Sequence, residues 1–244
     1  LATNLYSLVK NPFLSSSYFD KEFAYKIFYE AQILADILVD LEIDAVDMIL
    51  SKINPNYKGE GKIPKEGNIT EEFKLWIKIR EIGRLGRRTG TGITAYADML
   101  AALNLPYGEK EFTDSLFKLK LKAELDASTD MSIIKGSFPL YIDESLEYEF
   151  DIKKDRYVGK NKWYEFITLT YPLQAANMRI HARRNAGIST VAPTGSTSLM
   201  TLTSSGIEPV FKPIHKRRKT VKDGEDFDLI DNGNKYKEFI VVHP

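Results

Sequence analysis

The chain has 244 residues, 43% of them hydrophobic and 28% charged, and its 34 basic and 34 acidic side chains cancel to a formal net charge of +0. That is the composition of an ordinary folded soluble domain, which excludes a disordered chain and a membrane-embedded one, and global charge provides no attraction for nucleic acid or an anionic membrane. The absence of cysteine excludes a disulfide scaffold, a thiolate metal site and a cysteine nucleophile within this stretch, while leaving the redox compartment open.

Leu1-Ala2-Thr3-Asn4-Leu5-Tyr6 has no initiator methionine and no signal-peptide pattern. At the other end, Ile240-Val241-Val242-His243-Pro244 stops within a strand-like run. Both ends read as cut, so the expectation is a piece of a longer chain. From Asp20 to about Leu50 the apolar residues Phe23, Ile27, Ile33, Leu34, Ile37, Leu38, Leu41, Val46 and Ile49 fall at helical spacing. This predicts one or two helices, with Asp20 as N-cap. Residues 54–68, rich in Pro, Gly, Asn and Lys, read as an exposed loop. Thr70 opens a helix with capping-box character that runs to about Leu85. Gly86 to Gly92 interrupts, and Ile93 to Leu103 resumes as helix. After a turn at Pro106-Tyr107-Gly108, Thr113 to Ile134 is helical and stops at Lys135-Gly136. Leu140 to Val158 reads as loop or short strand, and Trp163 to Ala182 as a helix broken or started near Pro172. Short strands are predicted at Ile188 to Ala192 and Ile207 to Phe211, with a turn at Pro193 to Ser196 and a short helix over Thr197 to Thr203. Residues 212–244 read as a polar arm ending in a strand at Phe239 to Val242. Helices outnumber short, separated strands, so the expected class is helix-rich α/β with parallel strands.

The most informative segment is Pro193-Thr194-Gly195-Ser196-Thr197-Ser198, a hydroxyl-rich turn between a strand and a helix start. Such a turn offers free backbone N–H groups, a positive dipole end, hydroxyl donors and, at Gly195, room for close approach, which together make a phosphate cradle. Read plainly, the same residues only cap the helix. Gly90-Thr91-Gly92-Ile93-Thr94-Ala95 formally fits a dinucleotide fingerprint, but no apolar strand precedes it, so a tight strand-to-helix turn with packed glycines is expected. Asp36, Asp40, Asp44 and Asp47 share a helical face; with no Glu-x-x-His partner, and with His181, His215 and His243 isolated, the expectation is a solvated acidic face and no metal site. Ser132-Ile133-Ile134-Lys135 fits Ser-x-x-Lys without its companion motifs. Lys212, His215, Lys216, Arg217, Arg218, Lys219 and Lys222 form a basic run, followed by Asp223, Glu225, Asp226, Asp228 and Asp231. Local ion pairs are expected there rather than a nucleic-acid site, because no aromatic residue interleaves.

Ala192-Pro193-Thr194-Gly195-Ser196-Thr197-Ser198-Leu199, followed by Thr203-Ser204-Ser205-Gly206-Ile207-Glu208-Pro209-Val210-Phe211, resembles the signature of ribonucleotide reductase large subunits, most closely the adenosylcobalamin-dependent (class II) branch. Ala2 to Ser7, Gly86 to Gly92, Asp98 to Leu103 and Phe211 to Lys219 resemble other blocks of the family in the same order. The resemblance implies a ten-stranded α/β barrel of which this chain supplies most of the second half, so that residues 1–244 belong to a single catalytic domain. It implies reduction of ribonucleotides, as diphosphates, to 2′-deoxyribonucleotides for DNA synthesis by a cytoplasmic enzyme. The substrate's phosphates would rest on Pro193, Thr194, Gly195, Ser196, Thr197 and Ser198, while Ser205, Gly206 and Glu208 shape the barrel wall. The family's thiyl-radical cysteine, its finger loop Asn-x-Cys-x-Glu and its redox cysteines have no counterpart here, so no catalytic residue is assigned and this piece alone is expected to be inactive. Adenosylcobalamin, the rest of the reductase chain and an external dithiol reductant are the implied cofactor and partners, with no nucleic acid and no membrane. The alternatives are a class I large subunit, whose radical comes from a separate metal-containing subunit, and a non-catalytic phosphate- or nucleotide-binding module.

Overall fold

The computed structural model describes residues 1–65, 67, 69–141, 148–151, 156–159, 162–210, 212–222 and 224–242. In chain order these form β1 (Ala2–Asn4), a single turn of 3-10 helix (Tyr6–Leu8), β2 (Val9–Lys10), β3 (Tyr18–Phe19), α1 (Lys21–Ile53), α2 (Glu71–Gly86), β4 (Gly92–Thr94), α3 (Tyr96–Ala102) and α4 (Lys110–Lys135). There follow β5 (Tyr148–Asp151), β6 (Arg156–Gly159), α5 (Lys162–Thr170), α6 (Pro172–His181), α7 (Gly195–Thr201), β7 (Ile214–Thr220), β8 (Leu229–Asp231) and β9 (Asn234–Val242). They resolve into two compact units: one of Leu1–Thr3, Asp20–Gly92 and Gly108–Val191, the other of Asn4–Phe19, Ile93–Tyr107 and Ala192–Pro244.

The larger unit is helical. The Asp20 carboxylate accepts from the Phe23 N–H at 3.0 Å and starts α1, which runs unbroken for 33 residues because no glycine or proline interrupts it. Its buried positions include Ala24, Phe28, Gln32, Ala35, Asp36, Val46 and Leu50. The stripe expected from the sequence is offset from this face: Leu34, Ile37, Leu38 and Leu41 are exposed. The offset has a polar cause. Asp36, fully buried, accepts from Arg87 Nε at 3.0 Å and Nη2 at 2.8 Å and from Asn185 Nδ2 at 2.7 Å. The solvated acidic face is therefore corrected. Asp40 pairs with Arg87 and Lys135, and Asp47 with Arg80, leaving Asp44 exposed. Burial alone would raise the Asp40 and Asp47 carboxyls, but the Arg87, Lys135 and Arg80 hydrogen bonds and charges outweigh it and hold both below the ordinary carboxylate value.

Helix α2 is capped by the Thr70 hydroxyl and packs on α1 around Val46, Leu50, Tyr57 and Phe73. Two residues of the expected 54–68 loop are thus buried, Asn54 at the end of α1 and Tyr57 in this cluster. Glu109 accepts from the N–H groups of Glu111 and Phe112, so α4 begins three residues before Thr113, and it ends at Gly136 with φ 80°. Pro172 at the first turn of α6 separates it from α5. Leu125, Tyr164, Ile167, Tyr171, Ala175, Met178 and Ile188 form the second core cluster.

The strands depart most from expectation. Ile188 to Ala192 forms no strand, only a parallel bridge between Thr91 and Ser189. The glycine segment before it connects helix α2 to strand β4, the reverse of the strand-to-helix order expected; its glycines are packed, since a Cβ at Gly90 would come within 3.2 Å of the Thr190 methyl. In the smaller unit Ile93 and Thr94 are strand rather than helix, and the left-handed Ala95 (φ 63°) delays α3 to Tyr96. The short 3-10 helix packs on α3, with Leu5, Leu8, Ile93, Met99 and Leu100 buried. β1 and β4 pair: the Gly92 N–H donates to Leu1 O and the Leu5 N–H to Thr94 O, and this joint advance is the parallel sense. The other sheets among the described residues, β2–β3, β5–β6 and β7–β9–β8, are antiparallel. Ile207 to Val210 is irregular, and Phe211 lies outside the described residues. The polar arm is folded rather than extended, with β9 paired along all of β7. No closed barrel forms among the described residues, and none of their helices is long and apolar enough to cross a membrane.

Candidate functional site

The turn Pro193-Thr194-Gly195-Ser196-Thr197-Ser198 lies in the smaller unit, at the start of α7. Thr194 occupies the N-cap position, yet its side chain makes no capping hydrogen bond. It turns inward instead. Thr194 Oγ1 accepts the Gly206 N–H at 2.7 Å and donates to Thr94 Oγ1 at 3.1 Å, and the Thr94 hydroxyl in turn donates to Ser204 O at 2.9 Å. The Thr194 N–H donates to Ser205 Oγ at 3.3 Å. Gly206 sits at φ +52°, a left-handed conformation that side-chain-bearing residues rarely adopt, so glycine is favoured at this join.

The opposite segment is fixed as firmly. Asp98 Oδ2 accepts the Ser204 N–H at 2.6 Å, Ala95 N–H donates to Ser204 O at 2.9 Å, and the Tyr107 hydroxyl donates to Ile207 O at 2.5 Å. The Ser-Gly-Ile-Glu-Pro segment and Thr94 of β4 thus clamp Thr194 from two sides, and Asp98 of α3 fixes the clamp through Ser204. Thr94, Asp98 and Tyr107 were missed as site-shaping residues. Only register could have found them, because each acts through a contact about a hundred residues away in sequence.

Of the six turn residues, Thr194 and Ser198 are buried, while Pro193, Gly195, Ser196 and Thr197 are exposed. Ser198 Oγ donates to Gly195 O at 2.8 Å. With Thr194 and Ser198 engaged in this way, the Ser196 and Thr197 hydroxyls face solvent beside the first N–H groups of α7, which have no intrahelical acceptor. A Cβ placed on Gly195 meets nothing within 4 Å, so the space before the helix is open. A cleft of about 490 Å³ adjoins the clamp, lined by Ser204, Ser205, Glu208, Lys212 and His215 among others. Ser204 Oγ is buried there without a hydrogen-bond partner among the described residues. Exposed amides, hydroxyls and two nearby basic side chains can hold an anion; no group of three or more His, Asp or Glu side chains among the described residues can hold a metal ion.

Residues 72–236 match the ribonucleotide reductase barrel domain, well over half of the chain. The chain belongs to the ribonucleotide reductase barrel-domain family. Its relatives include a protein named vitamin B12-dependent ribonucleoside-diphosphate reductase from Mycobacterium tuberculosis, 28% identical over 137 residues, which are 55% of this chain and 15% of the relative. A protein of the same name from Thermoplasma acidophilum is 26% identical over 137 residues, 55% of this chain and 14% of the relative. The ribonucleoside-diphosphate reductase subunit alpha of Treponema pallidum is 26% identical over 129 residues, 52% and 14% respectively. The chain therefore spans about a seventh of the length of these reductases. The turn and its clamp fall inside the segment matched to the barrel domain.

Proposed function

We propose that this chain is part of a ribonucleotide reductase that reduces ribonucleoside diphosphates to 2′-deoxyribonucleotides, and that it supplies the substrate-phosphate cradle on Pro193, Thr194, Gly195, Ser196, Thr197 and Ser198. In this reading residues 1–244 belong to the second half of a ten-stranded catalytic barrel in a cytoplasmic enzyme. What carries it is the inward turn of Thr194. Its hydroxyl is spent on Gly206 and Thr94 rather than on capping α7, so the helix's leading N–H groups stay available to an anion. Lys212 and His215, lining the cleft whose wall includes Ser205, favour negative charge nearby.

The B12-dependent relatives support adenosylcobalamin as the radical source of the full enzyme. The residues of this chain do not themselves fit the radical step: without a cysteine there is no thiol to become the thiyl radical or to reduce the intermediate. The chain's part is to bind and orient the diphosphate, while the remaining polypeptide and an external dithiol reductant complete the cycle. The alternative is a class I large subunit, whose radical comes from a separate metal-containing subunit. Reductase activity of the full-length protein that does not depend on adenosylcobalamin decides for it.

The cradle is tested by calorimetry with a nucleoside diphosphate. Gly195→Ala adds a methyl group where it meets no protein atom, so the variant should fold as the parent does and bind at least tenfold more weakly. Unchanged binding would reduce the turn to a helix start with no ligand and leave the non-catalytic reading.

A further inference from the structure

The three-stranded sheet β7–β9–β8 has two unlike faces. Pairing register places His215 opposite Val241, Arg217 opposite Phe239, and Lys219 opposite Lys237, all on one face, where β9 also carries Lys235. The other face holds Lys216, Arg218, Glu238 and Asp231, tied by the Lys216–Glu238, Arg218–Glu238 and Arg218–Asp231 ion pairs. The acidic strand residues are thus segregated away from the first face, which carries Arg217, Lys219, Lys235 and Lys237; an acidic side chain from outside the strands, Asp226 of the loop before β8, reaches Lys237 at 3.3 Å.

Three observations set this face apart from an ordinary solvated surface. Lys219 and Lys237 stand directly across from each other, where like charges repel, and Lys237 turns to the Asp226 carboxylate at 3.3 Å, which leaves Lys219 facing solvent. No ion pair among the described residues engages Arg217 or Lys219, and both are exposed. Two aromatic rings lie among the cations: Phe239, 45% exposed and paired with Arg217, and Phe227, 41% exposed, with the Lys235 ammonium 5.5 Å from its ring centre. In the sequence the basic run and these phenylalanines are well separated; strand pairing interleaves them.

We propose that this face binds single-stranded nucleic acid, a base stacking on Phe239 while the adjoining phosphates contact Arg217, Lys219 and Lys237. Cations beside an aromatic platform on an open sheet are the arrangement that holds single strands without sequence preference. A purely acidic peptide would use the cations and gain nothing from the rings.

The experiment is an anisotropy titration of the 244-residue chain with a labelled single strand of roughly twelve nucleotides, repeated over a salt series. With these three cations at the phosphates, log K should fall with log salt at a slope of about −2. Arg217→Ala and Phe239→Leu should each weaken binding about tenfold. Phe239→Trp, which keeps a ring, should bind at least as tightly as the parent, and Lys216→Ala on the far face should stay within about twofold. Circular dichroism checks that each variant is folded. Absence of saturable binding overturns the proposal. So does equal binding by Phe239→Leu together with equally effective competition by polyglutamate, since the face would then be a general anion surface.

Discussion

The Thr194 hydroxyl does structural work inside the turn and leaves the start of α7 uncapped. Its Oγ1 is the acceptor for the buried Gly206 N–H, so Thr194→Val leaves that donor unpaired and should cost about 1–3 kcal/mol. Thr194→Ser keeps the oxygen and should cost well under half of that; urea unfolding of the two variants checks the difference. The same logic acts with charge at Lys120. Its buried ammonium donates to Thr91 O at 2.8 Å, to Ser189 Oγ at 2.7 Å and to Glu124 Oε1 at 2.5 Å. Burial raises the Glu124 carboxyl, and Lys120 opposes the rise without cancelling it. A folded value above the unfolded one means that this group stabilises most when protonated, and that its contribution fades as pH climbs from the unfolded value through the folded one. Lys120→Met removes the opposing charge. It should destabilise by about 3–5 kcal/mol at neutral pH, with a steeper loss than the parent shows as pH climbs from the ordinary carboxylate value through the raised one. Denaturant midpoints at several pH values measure this, and a pH-independent difference would show that Glu124 is not the group responsible.

At the scale of elements, helix boundaries were legible and helix faces were not. Asp20 and Thr70 cap as their side chains predict, and Pro172 separates two helices, because these signals are local. The buried face of α1 could not be read from apolar spacing, since Gln32 and Asp36 are drawn inward by Arg87, Thr89 and Asn185, which follow far along the chain. Strands were the least legible for the same reason: β4 was absorbed into a predicted helix, and β7 and β8 depend wholly on pairing with β9. The turn at 193–198 was found because its chemistry is local, but its clamp at Thr94 and Asp98 was not, because that clamp is register. The α1 network carries its own test. Asp36→Ala removes the carboxylate from between the buried Arg87 and the largely buried Arg184, leaving Arg87 with Asp40 as its remaining carboxylate partner, and should cost about 3 kcal/mol. Asp44→Ala, one helical turn beyond Asp40 on the exposed part of the same stripe, should change stability by less than about 0.5 kcal/mol. Equal losses for the two would return the acidic stripe to a solvated face.

At the scale of the molecule, ligand binding and turnover should separate completely. The proposed cradle needs only amides, hydroxyls and nearby positive charge, and all of these lie in one unit of the chain, where the Thr194 clamp fixes the turn. Reduction of a ribose needs a thiol, and this chain has none. The 244-residue protein supplied with a nucleoside diphosphate, adenosylcobalamin and a dithiol should therefore form no deoxynucleotide, yet be stabilised by the nucleotide. A ligand that binds only the folded state at about a hundred times its Kd adds about 2.7 kcal/mol. For a chain of this size that corresponds to a rise in Tm of roughly 5–10 °C. Gly195→Ala should keep the ligand-free Tm and lose most of the rise, because its methyl group meets no protein atom and would stand where the proposed cradle takes the phosphate. Product formed by the isolated chain would remove the proposed division of labour between phosphate binding on this chain and thiol chemistry supplied from outside it. A nucleotide-induced rise that survives Gly195→Ala would place the ligand elsewhere, and the cleft beside Ser204, Lys212 and His215 is where variants should be made next.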